Sequence, residues 1–141
     1  MKKFRLLGHG HPKIIDQLIF TYRKYNIPIE RDFFKVMKIA DVYVNDCSST
    51  MYEFMVTGKP IVVMNAPWFR RNFHHGLRFW DYSEGGPVCN KPQDLEDCIN
   101  KALDNTVEAR RTRQKYVKDL YPNLGCAAQT AADALLNFCF A

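Results

Sequence analysis

The chain has 141 residues, of which 47% are hydrophobic and 25% are charged, and its formal net charge is +5. This length supports one domain with a hydrophobic core, and the balance of residue types excludes a disordered or fibrous protein. The positive charge suits an anionic partner, such as a phosphorylated ligand, a nucleic acid or a membrane surface, without choosing among them.

The first third of the chain predicts one strand and two helices. A short strand is expected at Phe4–Leu7, before a turn that contains two glycines. Pro12 then stands at a first helical position, and apolar residues recur at helical spacing up to a stop near Tyr25-Asn26. Asp32 has the position of an N-cap residue for a short second helix that carries two phenylalanines.

The central segment predicts one βαβ unit. An apolar run at Val42–Val44 is followed by a polar turn and a helical pattern. The residues Gly58-Lys59-Pro60 end that helix, and a second apolar run covers Ile61–Met64. In such a unit the turn after the first strand lies at the carboxyl end of a parallel sheet, where backbone amides bind phosphate. The sequence therefore predicts a protein that binds nucleotide phosphates.

The rest of the chain predicts a long loop region and three helices. Residues 65–87 are rich in arginine, histidine, aromatic residues and glycine, and long loops inside compact domains are usually functional. One short strand would fit within this region. Helical patterns then cover Asp94–Leu103, Val107–Tyr121 and Ala127–Phe138. The order of elements predicts a small parallel sheet with helices on both faces, in one domain that spans residues 1–141.

The cysteine pattern and the absence of long apolar runs indicate the cellular compartment in which the protein is expected. The five cysteines are odd in number and never spaced CxxC, which argues against a disulfide framework and against a zinc ribbon. The basic start of the chain precedes an apolar run that is too short for a signal-peptide core. No apolar run reaches the roughly 20 residues of a membrane span. We therefore expect a reduced, cytoplasmic setting.

Four segments carry a resemblance to a known family. Residues 46–60 (DCSSTMYEFMVTGKP) resemble the D-x-S-S-x-x-x-[DE] segment of the CDP-glycerol glycerophosphotransferases, the enzymes that build teichoic acid polymers. Residues 11–12 resemble the family's H-P turn, and residues 75–88 are similar to its R-G-x-x-F-D-Y…G-P-x-V stretch. Residues 124–127 resemble its closing D-G-x-A segment. The four segments follow the family's order along nearly the whole chain.

The resemblance implies the C-terminal, donor-binding half of a GT-B fold, with a Rossmann-like sheet that is incomplete. The family's N-terminal acceptor domain has no counterpart in this sequence. The first strand and loop of the donor domain, where the family carries another catalytic histidine, have none either. The chain alone is therefore expected to be inactive, with the general base supplied from elsewhere.

The resemblance also implies which residues hold the donor. Ser48 and Ser49 would receive its phosphates, and serines are also good helix N-caps, worth about 1 kcal/mol, whether or not a ligand binds. Glu53, one helical turn further on, would accept hydrogen bonds from ribose hydroxyls; otherwise it is a solvated helix residue. His11 would be the catalytic residue, stabilising the donor phosphate or assisting proton transfer, unless it is a turn histidine. Gly10 would let the backbone approach the ligand.

Several cationic and histidine residues are open to two interpretations. Arg70, Arg71 and Arg78 either bind a phosphate or form a solubilising rim. The pairs His9-x-His11 and His74-His75 lack acid or thiol ligands at motif spacing, so no metal is expected.

The basic stretch at residues 110–118 lies on a predicted helix. It is either a solvated face or a surface for anionic lipid or polymer. A nucleic-acid reading would require a recognised module or base-stacking aromatics around these charges, and neither is evident. Nucleic acid is therefore not an expected partner.

The leading hypothesis is the donor-binding domain of a glycerophosphotransferase-like enzyme. In the implied reaction an acceptor hydroxyl attacks the glycerol-linked phosphorus of CDP-glycerol and CMP leaves, without a cofactor. The alternatives are the donor domain of a nucleotide-sugar GT-B glycosyltransferase and a non-catalytic module of the same fold. The expected partners are CDP-glycerol or a related donor, the N-terminal acceptor domain and an anionic membrane surface. The expected location is the cytoplasm, with a peripheral position at the inner face of the cell membrane as an option.

Overall fold

The computed structural model describes residues 12–45, 48–65 and 84–140. The chain divides into two compact units, residues 1–38 and residues 39–141. In chain order the elements are α1 (Pro12–Lys24), α2 (Phe33–Ile39), β1 (Tyr43–Asn45), α3 (Thr50–Met55), β2 (Ile61–Met64), β3 (Val88–Cys89), a 3-10 turn (Pro92–Asp94), α4 (Leu95–Leu103), α5 (Val107–Leu120) and α6 (Ala127–Phe140). The strand predicted at residues 4–7 lies outside the described residues.

Helix α1 begins and ends where its sequence predicts. Pro12 is its first residue, a position where the missing N–H of proline has no cost. At the other end Asn26 adopts the left-handed conformation, with φ 54°. The Ile27 N–H then donates to the Tyr22 carbonyl at 2.8 Å, which closes the last turn of the helix.

Helix α2 begins with two acidic side chains that bind backbone amides. The Lys35 N–H donates to Asp32 Oδ1 at 3.2 Å, which confirms Asp32 as the N-cap residue. Glu30 Oε1 accepts from the Arg31 N–H at 2.8 Å and from the Asp32 N–H at 3.2 Å. Glu30 Oε2 forms an ion pair with Lys35 Nζ at 2.6 Å.

These contacts predict an acid-shifted titration of Glu30. Its pKa is lowered from 4.5 to about 2, first by the Lys35 hydrogen bond and then by the Asp32 and Arg31 amides. Because the folded pKa lies below the unfolded value, the stabilising contribution is present above pH 4.5 and is lost as the pH falls towards 2. An NMR titration should place the carboxyl midpoint near 2. Lys35→Met should raise this midpoint and Lys35→Arg should retain it, whereas a wild-type midpoint near 4.5 would contradict the prediction.

Within the described residues the sheet has three parallel strands, in the order β1-β2-β3. Strand β1 pairs Asn45 with Val63, and β2 pairs Met64 with Cys89. Strands β1 and β2 with the intervening α3 are the predicted βαβ unit. Strand β3 was not predicted at Val88–Cys89, because two residues are too few to show a periodic pattern. Since the strands are parallel, the residues that follow each of them lie at one edge of the sheet.

Helices cover both faces of the sheet, which confirms the α/β fold class. On one face Val62 and Cys89 form a buried cluster with Cys98 and Ala102 of α4. Successive residues of a strand point to opposite faces. Tyr43 pairs with Ile61, the neighbour of Val62, and therefore points to the other face. There the Tyr43 ring stacks on Phe54 of α3, with ring centroids 4.8 Å apart.

Arg113 of α5 is buried, although the sequence grouped it with a basic surface stretch. Its side chain is only 1% exposed, and its guanidinium donates to the carbonyls of Gly85 at 2.9 Å and Gly58 at 3.2 Å. It also donates to Oδ1 of Asn105. Burial, and then the charge of Arg110, lowers the pKa of Arg113. The side chain thus joins α5 to three separate turns.

Helix α6 contrasts with this packed body, because residues 127–139 are all exposed. Its apolar side chains include Leu135 and Phe138, and the Phe138 side chain is 86% exposed. Among the residues that the structure describes, no helix has the length and apolarity required to cross a bilayer.

Candidate functional site

An asparagine stands at the carboxyl end of each strand. Strand β1 ends at Asn45, Asn65 follows β2 and Asn90 follows β3. None of the three was predicted as a site residue. For Asn45 and Asn65 a signal exists, since each is the first polar residue after an apolar run. Asn90 gives no such signal because β3 is too short to recognise.

The side chain of Asn45 shapes the turn that follows β1. Asn45 is buried, and its Oδ1 accepts from the Ser48 N–H at 2.8 Å. Its Nδ2 donates to Ser48 Oγ at 2.8 Å and to the Tyr43 hydroxyl at 3.2 Å. One carboxamide therefore holds both the backbone and the side chain of Ser48. Because the Ser48 N–H already donates to Asn45 within the turn, the Ser48 hydroxyl is the group that could bind a ligand.

A chain of hydroxyl groups orients Ser48. Its Oγ lies 2.6 Å from Thr50 Oγ1, which lies 2.8 Å from the Tyr43 hydroxyl. Each hydroxyl has one proton to donate and can accept from two groups. When Tyr43 donates to Thr50 and Thr50 donates to Ser48, the Ser48 proton remains for an acceptor outside the network. In that arrangement Ser48 can donate a hydrogen bond at the edge of the sheet.

Ser49 precedes helix α3 but does not cap it, so the capping prediction is wrong. Its backbone is helical, with φ −58° and ψ −27°, and its side chain makes no capping hydrogen bond. An N-cap side chain reaches the first-turn amides from extended backbone, which Ser49 lacks. The first turn closes instead through Met51 and Tyr52, whose N–H groups donate to the Ser48 and Ser49 carbonyls at 3.1 Å. The Ser49 side chain is left exposed.

Glu53 is the exposed acidic residue of α3, among neighbours that are buried. It lies four residues after Ser49, which places the two on the same side of the helix as predicted. Tyr121 follows α5, and its pKa is raised by burial and then by the negative charge of Glu53. Tyr121 is thus within range of the Glu53 charge. Sequence reasoning did not find this electrostatic interaction, because the two residues are distant in the chain.

The remaining predicted site residues lie outside the described residues and stay predictions: Gly10, His11, Arg70, Arg71 and Arg78. The predicted histidine pairs lie outside them too. Within residues 12–45, 48–65 and 84–140 no three histidine, cysteine or acidic side chains come together as metal ligands do.

An open groove lies between the end of α3 and helix α5, with Gly58 and Lys115 in its wall. Gly58 precedes β2, so this groove is near the amino ends of the strands. It is therefore separate from the edge that carries Ser48, Ser49 and the three asparagines.

Comparison with known proteins agrees with the resemblance. A family model described as CDP-Glycerol:Poly(glycerophosphate) glycerophosphotransferase matches residues 2–124, which include the sheet and its carboxyl edge. The chain matches no curated protein and no solved structure. Because the family model covers most of the chain, this protein belongs to the CDP-glycerol:poly(glycerophosphate) glycerophosphotransferase family.

Proposed function

We propose that this chain binds the CDP-glycerol donor of an enzyme that transfers glycerol phosphate to a polymer hydroxyl, as in teichoic acid synthesis. The observation that carries the proposal is the turn after β1. There Asn45 fixes Ser48, the Ser49 side chain is exposed, and Glu53 lies one helical turn further on. Ligands of open parallel sheets bind outside the carboxyl ends of the strands, which is where this turn lies.

In the proposed reaction the acceptor oxygen attacks the phosphorus that bears glycerol. A new phosphorus–oxygen bond forms as the bond to the bridging diphosphate oxygen breaks. CMP leaves with that electron pair, and the acceptor proton passes to a base. The hydroxyls of Ser48 and Ser49 would donate to the diphosphate oxygens and hold them for attack. His11, Arg70, Arg71 and Arg78 remain the predicted sources of positive charge and proton transfer.

Glu53 would bind the ribose of the donor. An ionised carboxylate only accepts hydrogen bonds, so it suits a ribose hydroxyl and would repel a phosphate. The separation of one helical turn from Ser49 agrees with the order of groups in a nucleotide, in which the ribose follows the phosphates.

The exposed basic side chains of α5 support a position at an anionic surface. Arg110, Arg111, Lys115 and Lys118 are exposed, whereas Arg113 is not. Each exposed charge would contribute up to about 1 kcal/mol to binding anionic lipid or polymer. If binding to anionic vesicles did not weaken when salt was added, this part of the proposal would be contradicted.

Titration of the 141-residue chain with nucleotides tests the donor proposal. CDP-glycerol and CMP should raise the thermal unfolding midpoint more than UDP and UDP-sugars do. Ser49→Ala should weaken CDP-glycerol binding about 10- to 100-fold, the value of one lost hydrogen bond to a charged group. The unfolding midpoint of the free variant should not change, because Ser49 makes no capping bond.

Thr130→Ala, which removes an exposed hydroxyl of α6, is the matched control and should bind like the wild type. Stabilisation by uridine compounds alone would favour a nucleotide-sugar transferase. If no nucleotide changed the midpoint, donor binding by this chain would be disproved.

A further inference from the structure

The carboxamide of Asn65 has an unusual environment. Its Nδ2 donates to Asn90 Oδ1 at 2.7 Å. Its Oδ1 is buried from solvent and, within the described part of the chain, accepts no hydrogen bond. A buried acceptor without a partner costs about 1 to 3 kcal/mol, and such atoms are rare in folded proteins. The Oδ1 atom of Asn65 therefore requires an explanation.

Exchanging the oxygen and nitrogen of the carboxamides still leaves one polar atom of Asn65 without a hydrogen bond. If both carboxamides were turned over, Asn90 would donate to Asn65 and the Asn65 Nδ2 would become the unpaired buried atom. If only one were turned, two oxygens or two NH2 groups would face each other. One polar atom of Asn65 is thus unpaired in every arrangement of the two side chains. With the bond to Asn90 as observed, that atom is an acceptor.

The position of Asn65 links it to the proposed donor site. It follows β2 directly, and β2 is the neighbour of the strand that leads into Ser48 and Ser49. Asn45 pairs with Val63, so Asn65 lies one strand over and two residues further towards the carboxyl edge. With about 4.8 Å between strands and about 3.3 Å per residue, Asn65 is roughly 8 Å from Asn45. The serine turn begins at Asn45, so a group attached to a diphosphate bound in that turn could extend to Asn65.

The chemistry of the unpaired atom limits what it can bind. A carbonyl oxygen repels phosphate oxygens and requires an O–H or N–H donor. The organic groups directly attached to the diphosphate of the proposed donor are ribose and glycerol, and both carry hydroxyls. Asn65 as a whole is only half-buried and the χ2 angle of asparagine is soft, so a rotation small enough to keep the bond to Asn90 would let Oδ1 meet an incoming hydroxyl.

We propose that Asn65 is a specificity residue whose Oδ1 accepts a hydrogen bond from a hydroxyl of the group carried on the donor diphosphate. Asn90 is a positioning residue, which holds the Asn65 carboxamide with its oxygen free for the ligand. This inference rests on the proposed function, because it assigns a subsite within the same donor site.

Asn65→Leu tests this proposal, because leucine is close in size and cannot accept a hydrogen bond. Binding would be measured by calorimetry for CDP-glycerol, the CDP ester of propanol, CMP and 2′,3′-dideoxy-CMP. Loss of one hydrogen bond should weaken binding about 5- to 10-fold. If the hydroxyl belongs to glycerol, CDP-glycerol alone is weakened. If it belongs to ribose, CMP and both CDP esters are weakened and dideoxy-CMP is not.

Either of these two patterns supports the proposal. The proposal is overturned if Asn65→Leu leaves the affinity for every ligand unchanged. It is also overturned if the variant weakens the binding of 2′,3′-dideoxy-CMP, which lacks the ribose and glycerol hydroxyls, as much as that of the other ligands. The exposed Asn100→Leu variant on α4 is the control and should match the wild type. Asn90→Ala, which frees the Asn65 amide to rotate, should weaken the same ligands by a smaller factor of about 2 to 3.

The stability of the free protein separates a binding role from a structural one. Asn65→Leu removes an unpaired buried acceptor, so its unfolding midpoint should be equal to or above that of the wild type. A lower midpoint without any ligand-selective effect would make Asn65 a structural residue and overturn the proposal. If wild-type protein binds CDP-glycerol and Asn65→Leu binds it equally, only this inference fails. If the wild type binds no nucleotide, the proposed function fails with it.

Discussion

Replacing Arg113 with methionine is expected to lower the free energy of unfolding by about 3 kcal/mol. Methionine keeps an unbranched apolar stem but leaves three acceptors without their donor: the Gly58 and Gly85 carbonyls and Asn105 Oδ1. Each unpaired buried acceptor costs about 1 to 3 kcal/mol. Water can reach some of these acceptors, so the total loss of stability is smaller than the sum of the three separate costs.

Thermal and denaturant unfolding measure this effect, and the midpoint should fall by about 10 °C for a domain of this size. Arg111→Met is the matched control, because it removes an exposed guanidinium from the same helix and should change stability little. Arg113→Lys should be nearly as damaging, since a single ammonium group cannot reach three acceptors in different directions. Equal stability of Arg113→Met and Arg111→Met would contradict the role given to this side chain.

Gly86→Ala should destabilise the protein by about 3 kcal/mol, because the new methyl group meets backbone that cannot move aside. A Cβ at this position would lie in severe overlap with the Ile61 carbonyl oxygen and 2.9 Å from its carbon. Ile61 is the first residue of β2, and Gly86 lies two residues before the start of β3. The close approach lets the Val63 N–H donate to the Pro87 carbonyl at 2.9 Å, where the two strands begin to pair.

Gly85→Ala is the graded comparison, because a Cβ there would meet the Arg113, Met55 and Ile61 side chains at 3.1 to 3.4 Å. Side chains can give way, so its loss should be smaller than that of Gly86→Ala. Displacing β3 also moves Asn90 away from Asn65, so Gly86→Ala should weaken CDP-glycerol binding as well as folding. Unfolding curves and calorimetry on both variants test this ranking. A Gly86→Ala protein as stable as Gly85→Ala would contradict it.

The local elements could be predicted because their signals are short-range. Pro12 and Asn26 bound α1, Asp32 caps α2, and the apolar run at Ile61 becomes β2. Strand β3 could not be predicted, because its pairing with β2 depends on the approach of Gly86 to Ile61 rather than on any periodicity. The capping prediction for Ser49 was wrong, because the residue type alone does not reveal whether its backbone is extended or helical.

The candidate site was predictable only in part for the same reason. Ser48, Ser49 and Glu53 follow one another in the chain, so a motif places them together. The roles of Asn45, Asn65 and Asn90 depend on contacts made after the strands are aligned side by side. Arg113 resembled the other basic residues of α5 until the packing of three turns around it showed that it is buried.

The amino-acid sequence alone determined the βαβ unit, the helical second half, the family and the serine turn, since each follows from residues near one another in the chain. Only the tertiary structure decided which serine side chain is exposed, which arginine is buried, and which asparagine retains an unpaired oxygen. Those outcomes depend on hydrogen bonds between residues as far apart as Gly58 and Arg113. A donor or acceptor can be identified as paired or unpaired only when its neighbours in space are known.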